Sequence, residues 1–243
     1  MTALRCLVMG GSGAVGSEIL RALARDGAVV AFTYFSQKEK AEGLARELSI
    51  HTVLSCDLNS WANVQDTVNK ASTALHGLDV LIIASGCTSS DLLSQNSIES
   101  IDESSFDRIM SVNTRGVFAA CQASIPFFKE SGGGNIILVG GLPGYKLIPS
   151  PIHLATSKAG LRGMAESMAK DLGKYDIRVN VIAPGLLDDG AGKSVSKELR
   201  DEYKKHSALK RFGKPMEIAE VATWFAFNNT YITGHSIILD GGL

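Results

Sequence analysis

MGGSGAVGSEI, residues 9 to 19, joins a short apolar run, RCLVM (5 to 9), to an amphipathic one, AVGSEILRALARDG (14 to 27). Glycines at such a junction let the chain turn sharply from strand to helix. They also let backbone N–H groups come close to a phosphate, whose charge then sits at the positive end of the helix. A glycine-rich turn alone is often only a turn, so its meaning depends on the segments next to it. Here the same unit repeats twice more: AVVAFTY (28 to 34) precedes KEKAEGLARELS (38 to 49), and HTVLSCD (51 to 57) precedes WANVQDTVNKASTAL (61 to 75). Apolar runs alternating with amphipathic segments predict βαβαβα, an α/β fold with a parallel, doubly wound sheet.

LDVLIIAS (78 to 85), GGNIILVG (133 to 140), IRVNVIAP (177 to 184) and HSIILD (235 to 240) supply four more buried strands, making about seven, with helices on both faces. Helices are predicted over 105 to 130 and 155 to 173. In the second, Ala155, Ala159 and Gly163 recur every four residues, giving a flat face that meets either this chain's own sheet or another subunit. The polar stretches 94 to 103 and 186 to 213 read as loops serving a site or a lid.

The whole chain bounds the function. At 243 residues, 45% of them hydrophobic and 20% charged, it fits one Rossmann-type domain spanning 1–243. A net charge of −1 with scattered Lys and Arg gives no electrostatic footprint for nucleic acid or an anionic membrane. Cys6, Cys56, Cys87 and Cys121 are widely spaced, without a CxxC pair or a neighbouring histidine cluster. No metal site is expected, and reduced thiols in a cytoplasm are the simplest reading. MTALRCLVMGG at the start reads as a first strand, too short an apolar run for a signal peptide or a membrane span.

The spacing of Gly10, Ala14 and Gly16 resembles the glycine loop of the classical short-chain dehydrogenases/reductases, and the resemblance continues in order along the chain. Asp57, in CDL, matches the family's adenine-contacting aspartate. Asn113, in VNTRGVF, matches its active-site asparagine, and Lys158, in TSKAG, its catalytic lysine. RVNVIAPG (178 to 185) matches the strand and turn over the nicotinamide, and YITGHSIILDGG (231 to 242) the C-terminal strand. The resemblance implies an NAD(P) site made by Gly10, Ser12, Ala14, Val15, Gly16, Asp57, Lys158, Pro184 and Gly185. The nearest look is to β-ketoacyl-carrier-protein reductases and hydroxyacyl-CoA dehydrogenases.

The pattern then breaks where the family does its chemistry. The proton-donating tyrosine is replaced by Leu154, and the serine that binds the carbonyl oxygen by Gly141. Neither side chain can donate or accept a proton. Losing a positioned acid costs about 10² to 10⁴ in rate, and losing one oxyanion donor about 10² to 10³. The cofactor site is altered too. Met9 replaces a threonine, Ile83-Ala84-Ser85-Gly86 stands for Asn-Asn-Ala-Gly, and Asp189 replaces the threonine after Pro-Gly, where it would repel a pyrophosphate if it faced one. No acidic residue near Tyr34 selects NAD, which leaves NADP open.

Each remaining residue carries two readings. Lys158 and Asn113 are remnants of the site, or a surface cation and a helix-kink bridge. Asp57 binds adenine or closes a turn. His153 has a pKa suited to proton transfer, but as Leu154's helical neighbour it points about 100° away. Tyr145, on the loop between the two lost positions, could swing inward.

Three functions are consistent with these residues. The first is a non-catalytic subunit binding no or weakly held NAD(P), in a hetero-oligomer, expected to be a tetramer, with a paralogous short-chain dehydrogenase that carries NAD(H) or NADP(H) and acts on a hydroxyacyl or ketoacyl thioester. That resembles in kind the two-component hydroxyacyl-CoA dehydrogenases, such as the one acting on 2-(hydroxybenzyl)succinyl-CoA. The second is an atypical NAD(P)-dependent carbonyl reductase or hydroxyacyl dehydrogenase with a non-tyrosine proton source. The third is a small-ligand sensor.

Overall fold

In a computed structural model, residues 3–87 and 97–243 are described. Seven parallel strands form one sheet in the order β3-β2-β1-β4-β5-β6-β7. They are β1 (Arg5–Met9), β2 (Val29–Tyr34), β3 (Thr52–Ser55), β4 (Val80–Ile83), β5 (Gly134–Val139), β6 (Ile177–Pro184) and β7 (Ser236–Leu239). Strand order reverses between β1 and β4, where Cys6 pairs with Val80 and Met9 with Ile83. At such a switch point the connections leave to opposite faces and a crevice opens beyond the strand ends.

Strands buried on both faces must be apolar throughout, and β4 and β5 are buried at every position. One face carries α3 (Trp61–Ala74), α5 (Gly116–Ser131) and α6 (Ile152–Leu172), whose Val64, Val117, Phe128 and Leu161 pack on Leu7, Leu81 and Ile136. The other carries α1 (Ala14–Arg25), α2 (Lys38–Leu48) and α8 (Pro215–Phe227), whose Leu20, Leu44 and Phe225 pack with Val8, Phe32 and Ile137.

Two helices differ from the sequence expectation. The segment predicted as a single helix over 105 to 130 is α4 (Glu103–Met110), then a π turn (Ser111–Arg115), then α5. One extra residue per turn leaves the apolar spacing almost unchanged while rotating the side chains beyond it, and it turns Asn113 inside. The segment 186 to 213 is not one long loop: it holds a 3₁₀ turn (Gly190–Ser194) and α7 (Lys197–His206), begun by the Ser196 hydroxyl accepting from Leu199 N–H. Of the polar stretch 94 to 103, residues 94–96 lie outside the described residues. Among the described residues no helix is long and apolar enough to cross a membrane.

The flat face of α6 does not rest on the sheet. Ala159 and Gly163 are exposed, and the loop before the helix lies over part of the stripe, where a Cβ on Gly144 would stand 2.6 Å from Ala155 O and 2.7 Å from Ala159 N.

Two glycine substitutions should therefore have opposite effects. A Cβ at Gly16 would lie 2.1 Å from Gly10 O, whereas one at Gly163 meets nothing within 4 Å. Gly16→Ala is expected to lower stability by about 1–3 kcal/mol, and Gly163→Ala to raise it by about 0.4–1 kcal/mol. Denaturant midpoints of the isolated chain check both.

Candidate active site

The glycine turn is built by backbone approach. Gly10 has φ of +82°, which glycine adopts without strain. Its N–H donates to Thr33 Oγ1 at 3.0 Å, and Gly11 N–H donates to Thr33 O at 2.8 Å, so β2 holds the turn in place. A Cβ on Gly10 would lie 2.4 Å from Ser85 Oγ, which brings the end of β4 against the turn. Helix α1 starts at Ala14 with no side-chain cap on Gly13, and the first N–H groups of a helix have no partner within it. Ser12, Ala14, Val15 and Gly16 thus lie at an uncapped helix start, which could hold a pyrophosphate.

At the other end of the crevice, Asn113 is a hub. Its Oδ1 accepts from Cys87 N–H at 2.7 Å, and its Nδ2 donates to Ser157 Oγ at 3.1 Å and to Cys87 O at 3.4 Å. Ser157 Oγ in turn donates to Leu154 O. These bonds tie the loop after β4, the π turn and α6 together with every Asn113 group engaged, which is the structural reading of that residue.

Lys158 lies one helical turn after Leu154 and is 7% exposed. It is not a surface cation. No hydrogen bond or ion pair reaches Nζ among the described residues, and burial pulls its pKa down to about 8. A Cβ on Gly86 would lie 3.3 Å from Nζ, so the head of the side chain sits at the loop after β4. Its stem passes Gly141, where an added Cβ would meet Lys158 Cγ and Cε at 3.9 Å and Pro143 at 3.7 Å. Those are ordinary contacts, and the backbone there is not left-handed, so a serine would fit at 141. Leu154 packs with Ile109 and Cys87.

The remaining predicted residues separate. Asp57 closes a turn: Oδ1 accepts from Asn59 N–H at 2.9 Å, and its own N–H donates to Asn63 Oδ1 at 2.7 Å at the start of α3. Pro184 O accepts from Leu142 N–H, and Gly185 N–H donates to Leu239 O. These bonds fix the turn after β6 between the neighbouring strand ends. Asp189 is exposed, accepts from Gly190 N–H at 2.7 Å and pairs with Lys193 at 2.7 Å. The Lys193 hydrogen bond holds its carboxyl below the ordinary range. Gly190 packs on the start of α1, where an added Cβ would lie 3.1 Å from Ala14 Cβ. Tyr145 is packed against the α3, α5 and α6 side of the core, its hydroxyl buried near Gly140.

Several contributors escape sequence reading. Thr33 is a polar residue inside an apolar strand, a visible signal with no visible partner. Ser157 and Cys87 join the hub only through the fold. Lys146, in the loop that carries Gly141, pairs with Asp240 at 2.5 Å and donates to Leu243 O, fastening that loop to the C-terminal segment. No cluster of three or more His, Cys, Asp or Glu among the described residues could hold a metal ion.

His153 is fully buried, and neither ring nitrogen has a hydrogen-bond partner among the described residues. Burial lowers its pKa below the ordinary histidine value, with Asp102 opposing. In the unfolded chain the imidazole takes up its proton first as pH falls, so this contribution to stability is present above about pH 6.5 and declines below it. His153→Leu is expected to leave the midpoint at pH 8 unchanged or higher and to flatten its decline between about pH 6.5 and 5. Thermal midpoints across that range check it.

Similarity to known proteins agrees with this architecture. The family profile described as Enoyl-(Acyl carrier protein) reductase matches residues 11–243. Carbonyl reductase family member 4 of Xenopus tropicalis is 33% identical over 239 residues, 98% of this chain and 97% of that protein. The 3-oxoacyl-[acyl-carrier-protein] reductase of Homo sapiens is 32% identical over 242 residues, again 98% and 97%. A solved short-chain dehydrogenase from Burkholderia cenocepacia in complex with NADP superposes with a TM-score of 0.89 at 28% identity, covering 98% of this chain and 97% of that one. With the profile match running from residue 11 to residue 243, this chain belongs to the classical short-chain dehydrogenase/reductase family.

Proposed function

We propose that this chain is a non-catalytic subunit of a hetero-oligomeric short-chain dehydrogenase, stabilising an intact paralogue that carries NAD(H) or NADP(H) and acts on a hydroxyacyl or ketoacyl thioester. The observation that carries the reading is Leu154 packed into an apolar cluster with Ile109 and Cys87 where a proton donor would stand. Gly141 adds nothing to bind a carbonyl oxygen, and Lys158 has no hydroxyl to act on.

The assembly surfaces support the partner role. A groove of about 490 Å³ lies where α3, α4, α5, α6 and the π turn meet, lined by Trp61, Met110, Phe118 and Met164 together with the charged Asp107 and Arg115. Phe118 is exposed, and the open part of the Ala159–Gly163 stripe lies on the same helix as Met164. Shape-matched helices of a related subunit would bury that surface.

A dinucleotide would lie along the crevice. Ser12, Ala14, Val15 and Gly16 would hold the pyrophosphate, Asp57 the adenine side, and Lys158 with Pro184 and Gly185 the nicotinamide end. When bound, the cofactor supplies hydride. The chain's own residues would orient it, but none at 141 or 154 moves a proton.

The second reading, an atypical NAD(P)-dependent carbonyl reductase, draws support from the intact glycine turn and from relatives named as reductases. It needs a proton source other than Leu154. Tyr145 is committed to the core, and His153 is sealed from solvent.

Native mass of the gently purified protein from its own host is expected to show a heteromer with a dehydrogenase that keeps serine, tyrosine and lysine. A homomer that turns over ketoacyl thioesters at ordinary rates would overturn the proposal. The double variant Gly141→Ser/Leu154→Tyr is expected to raise reduction of a ketoacyl thioester by at least about 10² over the isolated chain. Steady-state kinetics with NADPH and NADH reads it, and stability should drop by about 1–3 kcal/mol as the tyrosine displaces Ile109 and Cys87.

A further inference from the structure

Most cations of the segment that follows β6 are matched by an acid. Lys193 pairs with Asp189, Arg211 with Glu217, and Lys205 and His206 share Glu202. Arg200 and Lys204 of α7 differ: among the described residues neither has a carboxylate within ion-pair distance, and both rest on one ring. The Arg200 guanidinium lies 4.3 Å from the centroid of Phe212, and Lys204 Nζ lies 4.6 Å from it. Phe212 is buried, with the Tyr203 ring 5.8 Å away between centroids, so the platform is fixed. Arg200 is tied once more, donating to Gly192 O at 2.6 Å. Like charges four residues apart on a helix repel each other. The ring holds each of them without cancelling its charge. An anion received between them would replace that repulsion with charge-assisted hydrogen bonds from both sides.

We propose that Arg200 and Lys204 form a phosphate-binding site for the nucleotide end of a coenzyme A thioester. The guanidinium has donors beyond the one given to Gly192, and the Lys204 ammonium is exposed with three of its own. A phosphate group presents several strong acceptor oxygens and can take bonds from both heads at once, and a guanidinium fork beside a point-charge ammonium suits it. The place of the site fits a ligand whose other end enters the crevice. Tyr203, between the two cations along α7, donates to Asp240 O at 2.7 Å, and a Cβ on Gly185 would collide with the same hydroxyl. Helix α7 is thereby seated on the turn after β6, and its cations belong to a different element from the glycine turn that opens α1. The inference deepens the proposed function and rests on it for one thing, the choice of a thioester as the ligand.

Calorimetric titration of the full isolated chain with coenzyme A tests it. Coenzyme A is expected to bind, with affinity falling as salt is raised. Arg200→Gln should weaken it about tenfold and Lys204→Gln at least about threefold. Lys70→Gln, which removes an exposed cation on α3, should leave it unchanged. Dephospho-coenzyme A locates the contact: weaker binding places the 3′-phosphate on the two cations, and equal binding places the diphosphate there. Affinity that is the same in wild type and in both variants would overturn the proposal, as would a flat titration of the wild type. Displacement of coenzyme A by saturating NADPH would also overturn it, because the phosphates would then lie in the glycine turn. The exposed Lys204 variant alone delivers the comparison if Arg200→Gln does not fold. The two proposals fail separately. A heteromer whose isolated chain ignores coenzyme A would remove this site and leave the subunit reading, whereas an active homomer that binds coenzyme A through Arg200 and Lys204 would do the reverse.

Discussion

The close seating of α1 on the turn that precedes it governs the rest of the molecule. Gly16 brings the helix so near that a single Cβ would fall 2.1 Å from Gly10 O, and Gly10 does the same against Ser85. Two backbones meeting at this distance bring the ends of β1 and β4 together at the point where strand order reverses. The crevice results from that geometry, because helices leaving to opposite faces cannot cover the strand ends between them. Thr33 adds the third side of the clamp from β2.

Within the crevice, the polar network and the reactive positions have parted. Asn113, Ser157 and the Cys87 backbone remain bonded to one another, so the loop after β4 and the start of α6 keep their relative placement. That network is satisfied internally and stabilises whether or not a substrate is present. Beside it, Leu154 packs with Ile109, and Gly141 leaves space beside the Lys158 stem. Lys158 itself is buried with no hydrogen bond or ion pair to Nζ among the described residues. The same helix therefore presents an apolar plug and a buried amine on its inner side and an open small-residue stripe on its outer side.

The sequence by itself determined the sheet and its connectivity, since strands buried on both faces must be continuous apolar runs and crossover helices must be amphipathic. Each of the seven strands lies inside or at the edge of such a run. It also fixed Gly141 and Leu154, whose side chains carry no exchangeable proton in any fold. Tertiary structure decided the rest. A π turn adds one residue without altering the apolar spacing, so the inward rotation of Asn113 was invisible. Asp189, whose charge alone suggests repulsion of a phosphate, is neutralised locally by Lys193 and caps its own turn. Above all, only packing could say whether Lys158 is a solvated cation or a buried amine. Its ionisation depends on what surrounds the side chain, and Gly86 and Gly141, which lie far from it along the chain, reach it only when the chain folds.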